Sequence, residues 1–197
     1  MSNNFNRIAW AYDSLVKITF GSQLWQAQRA HLEKIAEGDS VLVVGGGSGR
    51  ILNWIKAEKI DFLELSHSMI RKASKRGDSQ IIHGDFFSIS LQTYDWVIFP
   101  FFLDCFADNR IKDALVKAKA ILNEDGGLIV TDFEIQNKRQ KLLTRLMIVF
   151  FRLTTALEAK NLSPIRQIIG NTEFQCTSSE QFLNGFIFSE IYTLRKK

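Results

Sequence analysis

The sequence predicts an α/β protein: a doubly wound, mostly parallel seven-stranded sheet closed by an antiparallel C-terminal hairpin. Three observations carry this. Short apolar runs alternate with helical stretches through the middle of the chain, the pattern of buried parallel strands joined by right-handed crossovers. Two further strand-like runs then follow each other across a short turn, as a hairpin requires. Finally, 46% apolar and 23% charged residues suit a packed core and exclude a disordered chain. A length of 197 residues fits a single domain with one core.

Taken in order, residues 1–38 form an expected N-terminal helical cap, with Phe5, Trp10, Tyr12, Phe20 and Trp25 at roughly helical intervals. Residues 39–135 form the expected binding core. Val41–Val44 is the first strand, followed by a glycine turn and a predicted helix over Arg50–Lys59. Phe62–Leu65 is the second, followed by a serine-capped helix over Ser66–Arg76. Gln80–His83 is the third and ends at Gly84-Asp85. Trp96–Phe99 is the fourth and leads to a helix over Ile111–Leu122; Leu128–Thr131 is the fifth. Residues 136–165 hold a long helical stretch, Arg139–Lys160, apolar on more than one face, which must be buried or cover something apolar. Residues 166–197 supply two closing strands, Phe174–Ser179 and Phe186–Leu194, with Gly185 in the turn.

Composition narrows the function. Lys plus Arg number 25 against 21 for Asp plus Glu, an excess too small and scattered to indicate a nucleic-acid binder. The run Arg71 to Arg76 reads as a solvated helix face. Cys105 and Cys176 form no C-x-x-C and read as buried free thiols. His31, His67 and His83 share no metal-ligand spacing, so no metal is expected. The N-terminus has no signal-peptide pattern, and the longest apolar run, Leu146–Phe151, falls far short of the ~18 residues of a membrane span. A cytoplasmic protein is the expectation.

The most informative stretch is Val41-Leu42-Val43-Val44-Gly45-Gly46-Gly47-Ser48-Gly49. Glycines between a strand and a helix permit positive φ, let a ligand press on the backbone, and expose N–H groups. A nicotinamide fingerprint, G-x-G-x-x-G, would need a glycine where Arg50 stands, and a P-loop would need G-K-[ST]. The pattern is G-x-G-x-G.

With this strand order, that turn resembles motif I of the class I S-adenosylmethionine-dependent methyltransferases, whose fold is Rossmann-like. Phe62-Leu63-Glu64-Leu65-Ser66-His67-Ser68-Met69 resembles the family's second strand. The resemblance makes Glu64 the acid that accepts from the ribose hydroxyls, with Leu65 and Met69 beside it. His83-Gly84-Asp85-Phe86 resembles the third-strand motif, with Asp85 on the adenine amino group and Phe86 alongside. Tyr94–Phe99 resembles the fourth strand, whose end, at Phe99, faces the methionine part. Leu122 to Val130 resembles the turn into the fifth strand. Phe5 to Asp13 is similar to the opening segment of the ubiquinone/menaquinone-biosynthesis group, which would bring Tyr12 near the methionine carboxylate. The implied cofactor is S-adenosyl-L-methionine, held by Tyr12, Gly45, Gly46, Gly47, Gly49, Glu64, Leu65, Met69, Asp85, Phe86 and Phe99. One departure is Val43, where family members usually carry an acid that helps hold the methionine amino group.

For catalysis the sequence offers His83, Asp104 and Asp132, each at or just beyond a strand end on the ligand edge. The expected activity is methyl transfer to a small, apolar or aromatic acceptor rather than nucleic acid, with loose attachment to an anionic membrane surface compatible with the basicity. The alternatives are a protein that binds the cofactor without turnover, and a nicotinamide-binding oxidoreductase.

Overall fold

Seven strands hydrogen-bond into one sheet in the order β3-β2-β1-β4-β5-β7-β6. They are β1 Ser40–Val44, β2 Lys59–Glu64, β3 Gln80–His83, β4 Tyr94–Pro100, β5 Leu122–Phe133, β6 Phe174–Phe182 and β7 Ile187–Leu194. The computed structural model describes residues 22–137, 140 and 162–195. The Phe5–Phe20 aromatics, Tyr12 among them, and nearly all of the helix expected over 139–160 lie outside those residues.

Strands β1 to β5 pair in parallel, whereas β7 runs antiparallel to both β5 and β6. The predicted mostly parallel sheet with an antiparallel hairpin is the observed one. Every residue of Val41–Val44 is buried, because a parallel strand at the sheet's centre is covered on both faces. The two-residue period sends Leu42 and Val44 to one core, with Leu63, Val97, Phe99, Leu128 and Val130. Val41 and Val43 go to the other, with Phe62, Ile98 and Ile129.

Helices α1 (Gln23–Arg29), α2 (His67–Ala73), α3 (Asp108–Ile121) and α4 (Ile165–Gly170) lie around the sheet. In α3 the buried residues Ile111, Ala114, Leu115, Ala118 and Ile121 recur at three- and four-residue intervals and pack on the Leu42 face together with Ile165, Ile168 and Ile169 of α4. α1 sets Leu24 and Ala27 against Phe133, Phe186 and Ile187. The serine cap of α2 is present: Ser66 Oγ accepts from the Met69 N–H.

Four expectations need correction. The helix predicted over Arg50–Lys59 is only a 3-10 turn, Arg50–Asn53. Gly49 provides no side-chain cap, and Ile51, Trp54 and Ile55 are weak helix formers. One turn already buries Ile51 and Leu52, and the chain then runs on to bury Ile55. The turn expected at Asn123–Gly127 is absorbed into an irregular start of β5, where the register shifts between Tyr94 and Trp96. Gly127 is required there because a Cβ would stand 2.3 Å from the Trp96 ring. The C-terminal segment opens with α4 before its strands, entered through Pro164. Cys176 is exposed, because β6 is an edge strand with a solvent face.

Candidate functional site

The C-terminal ends of the parallel strands form one edge of the sheet, where ligands of open α/β sheets bind. The glycine turn leaves β1 there. Gly45, Gly47 and Gly49 all have positive φ. Gly45 lies under the Phe102 ring, and a Cβ at Gly45 would come within 2.7 Å of it. Gly49, with φ near 72°, presses on α2, where a Cβ would meet the Ala73 Cβ at 2.6 Å. The turn lets β1, α2 and the segment after β4 converge. Since a four-residue 3-10 turn follows it, the N–H groups on offer are those of the turn itself.

Glu64 ends β2 beside this turn. Its Oε1 accepts from the Ser66 N–H at 2.8 Å, and the carboxylate also takes the N–H groups of Leu65 and Gly47. Burial pushes the Glu64 carboxyl up, and these three donors pull it back toward the charged form. The next residue, Leu65, is 48% exposed, one of the large apolar side chains left open to solvent. Met69 is buried beneath. The structure thus brings Glu64, Gly47 and the α2 N-terminus together, as the sequence placed them.

Asp85 follows β3 and turns back on its own loop, its Oδ1 accepting from the Phe87 N–H at 3.0 Å. Phe86 is buried, edge-on to Phe99 at 5.5 Å and to Phe102 at 5.7 Å. Phe99 is wholly buried, so only its backbone reaches the ligand edge. Phe87, Phe102 and Phe106 complete the cluster, with the Arg110 guanidinium 3.7 Å from the centre of the Phe87 ring. Phe101 turns the other way, onto Phe133. Val43 is fully buried in the opposite core beside Phe62 and Ile98, so that position serves packing.

Of the three candidate bases, two meet and one stands apart. Asp132, at the end of β5, is completely buried. Its Oδ2 accepts from the N–H groups of Leu103 and Asp104 at 3.1 and 3.2 Å, and its Oδ1 from the Phe133 N–H. Asp132 therefore ties the segment after β4 to β5. Asp104 is half-buried, with the Cys105 thiol donating to its Oδ1 at 3.4 Å. Desolvation pushes the Asp104 carboxyl up to about 7. Burial and the neighbouring Asp104 charge also push Asp132 up, and the Cys105 thiol is raised by burial and both carboxylates. His83 is exposed at the end of β3, its Nε2 donating to the Leu65 carbonyl at 3.1 Å and its ring tilted against His67, with centroids 3.9 Å apart. Four strand spacings separate β3 from β5, roughly 19 Å.

An ion-pair network near the same end of β5 was not visible in the sequence. Arg166 of α4 donates to Glu134 at 2.9 Å and to Glu190 at 2.6 Å. Glu190, buried on β7, also accepts from Ser179 and Tyr192. No short motif links these residues. The signal was Glu190 at the middle of a mostly apolar β7, an acid which, if buried, demands a partner. Among the described residues there is no group of three or more His, Cys, Asp or Glu that could hold a metal ion, and no helix long and apolar enough to cross a membrane.

No family model matches the sequence, and no curated protein matches it. Solved structures do match. The chain aligns over its full length with all of a chain from the structure described as the "Complex between the Haloferax volcanii Trm112 methyltransferase activator and the putative methyltransferase", at 13% identity and a TM-score of 0.74. The fold is that of the class I methyltransferases. The N-methyltransferase NodS from Bradyrhizobium japonicum, crystallised with S-adenosylhomocysteine, matches at 10% identity and a TM-score of 0.63, over 88% of each chain. CalO1, a methyltransferase of calicheamicin biosynthesis in its S-adenosylhomocysteine-bound form, matches at 12% identity and a TM-score of 0.67 over 93% of this chain. The chain spans 56% of CalO1. Within this methyltransferase fold, the glycine turn and Glu64 stand at the ends of β1 and β2, and Asp104 and Asp132 stand beyond β4 and at the end of β5.

Proposed function

We propose that the protein binds S-adenosyl-L-methionine along the β1–β3 side of the sheet edge and transfers its methyl group to a small, apolar or aromatic acceptor. The observation that carries this is the Glu64 carboxylate, held at the end of β2 by the Gly47 and Ser66 N–H groups beside an exposed Leu65. A carboxylate accepts about four hydrogen bonds, and three main-chain donors leave one position for a ribose hydroxyl. Leu65 offers an apolar surface for the purine, and Asp85 a carboxylate for its amino group. Val43 leaves the methionine ammonium to backbone carbonyls of the turn and to water. NodS and CalO1, which share the fold, were crystallised with S-adenosylhomocysteine, in keeping with this reading.

Bound there, S-adenosylmethionine supplies a methyl on a sulfonium: the acceptor's lone pair takes the methyl, the C–S electron pair stays on sulfur, and the acceptor's proton must leave. The chain's part is to hold both partners in line and exclude water. Asp104, with its carboxyl near 7, is the group suited to take that proton at neutral pH. Asp132 positions it by binding its backbone N–H. The Phe102 and Phe106 rings supply an apolar wall between the two sides. The test is calorimetry with S-adenosylhomocysteine and with NAD. One S-adenosylhomocysteine per chain and no NAD signal is expected; the reverse result overturns the reading.

A further inference from the structure

Leu65 stands exposed between β2 and α2, yet its peptide is held at both polar ends. Its N–H donates to the Glu64 carboxylate, and its C=O accepts from His83 Nε2 at 3.1 Å. An exposed loop residue ordinarily leaves its carbonyl to water. Here an imidazole 18 residues further along the chain takes that place.

The placement follows from the sheet. Strands β2 and β3 run parallel with Glu64 opposite His83, and the Gly84 N–H donates to the Glu64 carbonyl at 3.2 Å. The end of β3 therefore sets the imidazole one residue beyond its register partner, against the Leu65 peptide. The same ring meets His67, the first residue of α2. Strand β3 and helix α2 hold the imidazole, and the imidazole holds Leu65.

What is fixed in this way is a residue the core does not fix. Leu65 is 48% exposed, so burial alone does not dictate where its Cα–Cβ bond points. A hydrogen bond that sets the direction of an exposed apolar group serves whatever rests on that group. The Glu64 carboxylate lies one residue before Leu65, and Asp85 two residues after His83.

We propose that His83 is a positioning residue of the cofactor site: its Nε2–H fixes the Leu65 peptide so that the Leu65 side chain stands as the platform for the purine, beside the Glu64 carboxylate. The assignment rests on the methyl-transfer reading of this edge and gives His83 a part in holding the cofactor rather than in taking a proton.

The experiment titrates the full chain calorimetrically with S-adenosylhomocysteine. His83→Phe keeps a ring against His67 but has no donor, and should weaken binding about fivefold, the value of one neutral hydrogen bond. His83→Gln offers an N–H at similar reach and should return the affinity to within about twofold of the parent. Placed in a Leu65→Ala chain, His83→Phe should cause no further loss, because no platform remains to be positioned; a purely structural role would give the same loss in both chains. Circular dichroism checks the folding of each variant. Should His83→Phe not fold, the tautomer is read from the imidazole nitrogen spectrum of the parent in mildly alkaline buffer, where Nε2–H is expected and should shift when S-adenosylhomocysteine is added. Parent-like affinity in His83→Phe, equal losses in the two chains, no rescue by glutamine, or an Nδ1–H tautomer overturns the proposal. If the parent binds no S-adenosylhomocysteine, the cofactor reading falls and this assignment with it; if the parent binds and His83→Phe binds equally, the assignment falls alone.

Discussion

On the β1–β3 side of the sheet edge, one carboxylate, Glu64, is held by main-chain N–H groups from Gly47, Leu65 and Ser66. On the β5–β7 side, two carboxylates, Glu134 and Glu190, pair with the Arg166 guanidinium, and a second pair, Asp104 and Asp132, meets where the segment after β4 is tied to β5. The first side is built of backbone, with its donors supplied by a turn and a helix start within twenty residues of each other. The second is built of side chains brought together from β4, β5, β7 and α4. A backbone cradle suits a ligand whose chemistry does not vary. A side-chain cluster can hold a proton, because burial and the neighbouring Asp104 charge raise the proton affinity of Asp132.

The contrast can be broken hardest at Asp132. Asp132→Ala leaves the N–H groups of Leu103, Asp104 and Phe133 buried without an acceptor, and should cost about 3 kcal/mol of stability by chemical denaturation. A variant as stable as the parent would mean that the ring cluster, and not Asp132, holds the segment after β4. On the backbone side the matching lesion is Gly49→Ala. It forces a Cβ against Ala73 in a left-handed conformation, and should cost about 2 kcal/mol on the same measurement. Little loss there would show that α2 can retreat from the turn.

A smaller effect sharpens the role of Glu64. Because that carboxylate also binds its own backbone, Glu64→Ala would disturb the fold together with the ligand. Glu64→Gln keeps one acceptor oxygen and should weaken S-adenosylhomocysteine about tenfold by calorimetry, the value of one hydrogen bond to a charged group. The smallest effect is a pH slope. Asp104 has an ordinary value near 3.8 when unfolded and about 7 in the fold, so between these pH values the native state binds more protons. Stability from this group is therefore full below about pH 4 and lost as pH rises toward 7, at a slope below about 1.4 kcal/mol per pH unit. Asp104→Asn should flatten that slope in denaturation curves taken across the same range. An unchanged slope would assign the proton to another group.

Much of the first side was legible because its parts are neighbours in sequence. Val41–Val44, the glycine turn, Glu64 at a strand end and Ser66 capping α2 each need only a few adjacent residues, and local sterics and hydrogen bonding decide them. The Arg50–Lys59 helix was misread for the converse reason. Its apolar spacing suited a helix, but a single 3-10 turn buried the same residues without a cap. The sequence reading left open which closing strand lies inside; in the structure Ile187–Tyr192 is buried throughout, while β6 is exposed along most of its length, so the more apolar strand takes the interior place.

By itself the sequence determined the alternation of strands and helices, the glycine turn and the acid at the end of β2, since each follows from contacts within one short segment. Only the tertiary structure decided that Asp104 meets Asp132 across 28 residues, that Arg166 bridges Glu134 and Glu190, and that a cavity opens beside the Glu134–Arg166 pair. The physical reason is that a charge's partners and a cavity's walls are chosen by strand order and register, and these depend on burying the whole sheet at once rather than on any local pattern.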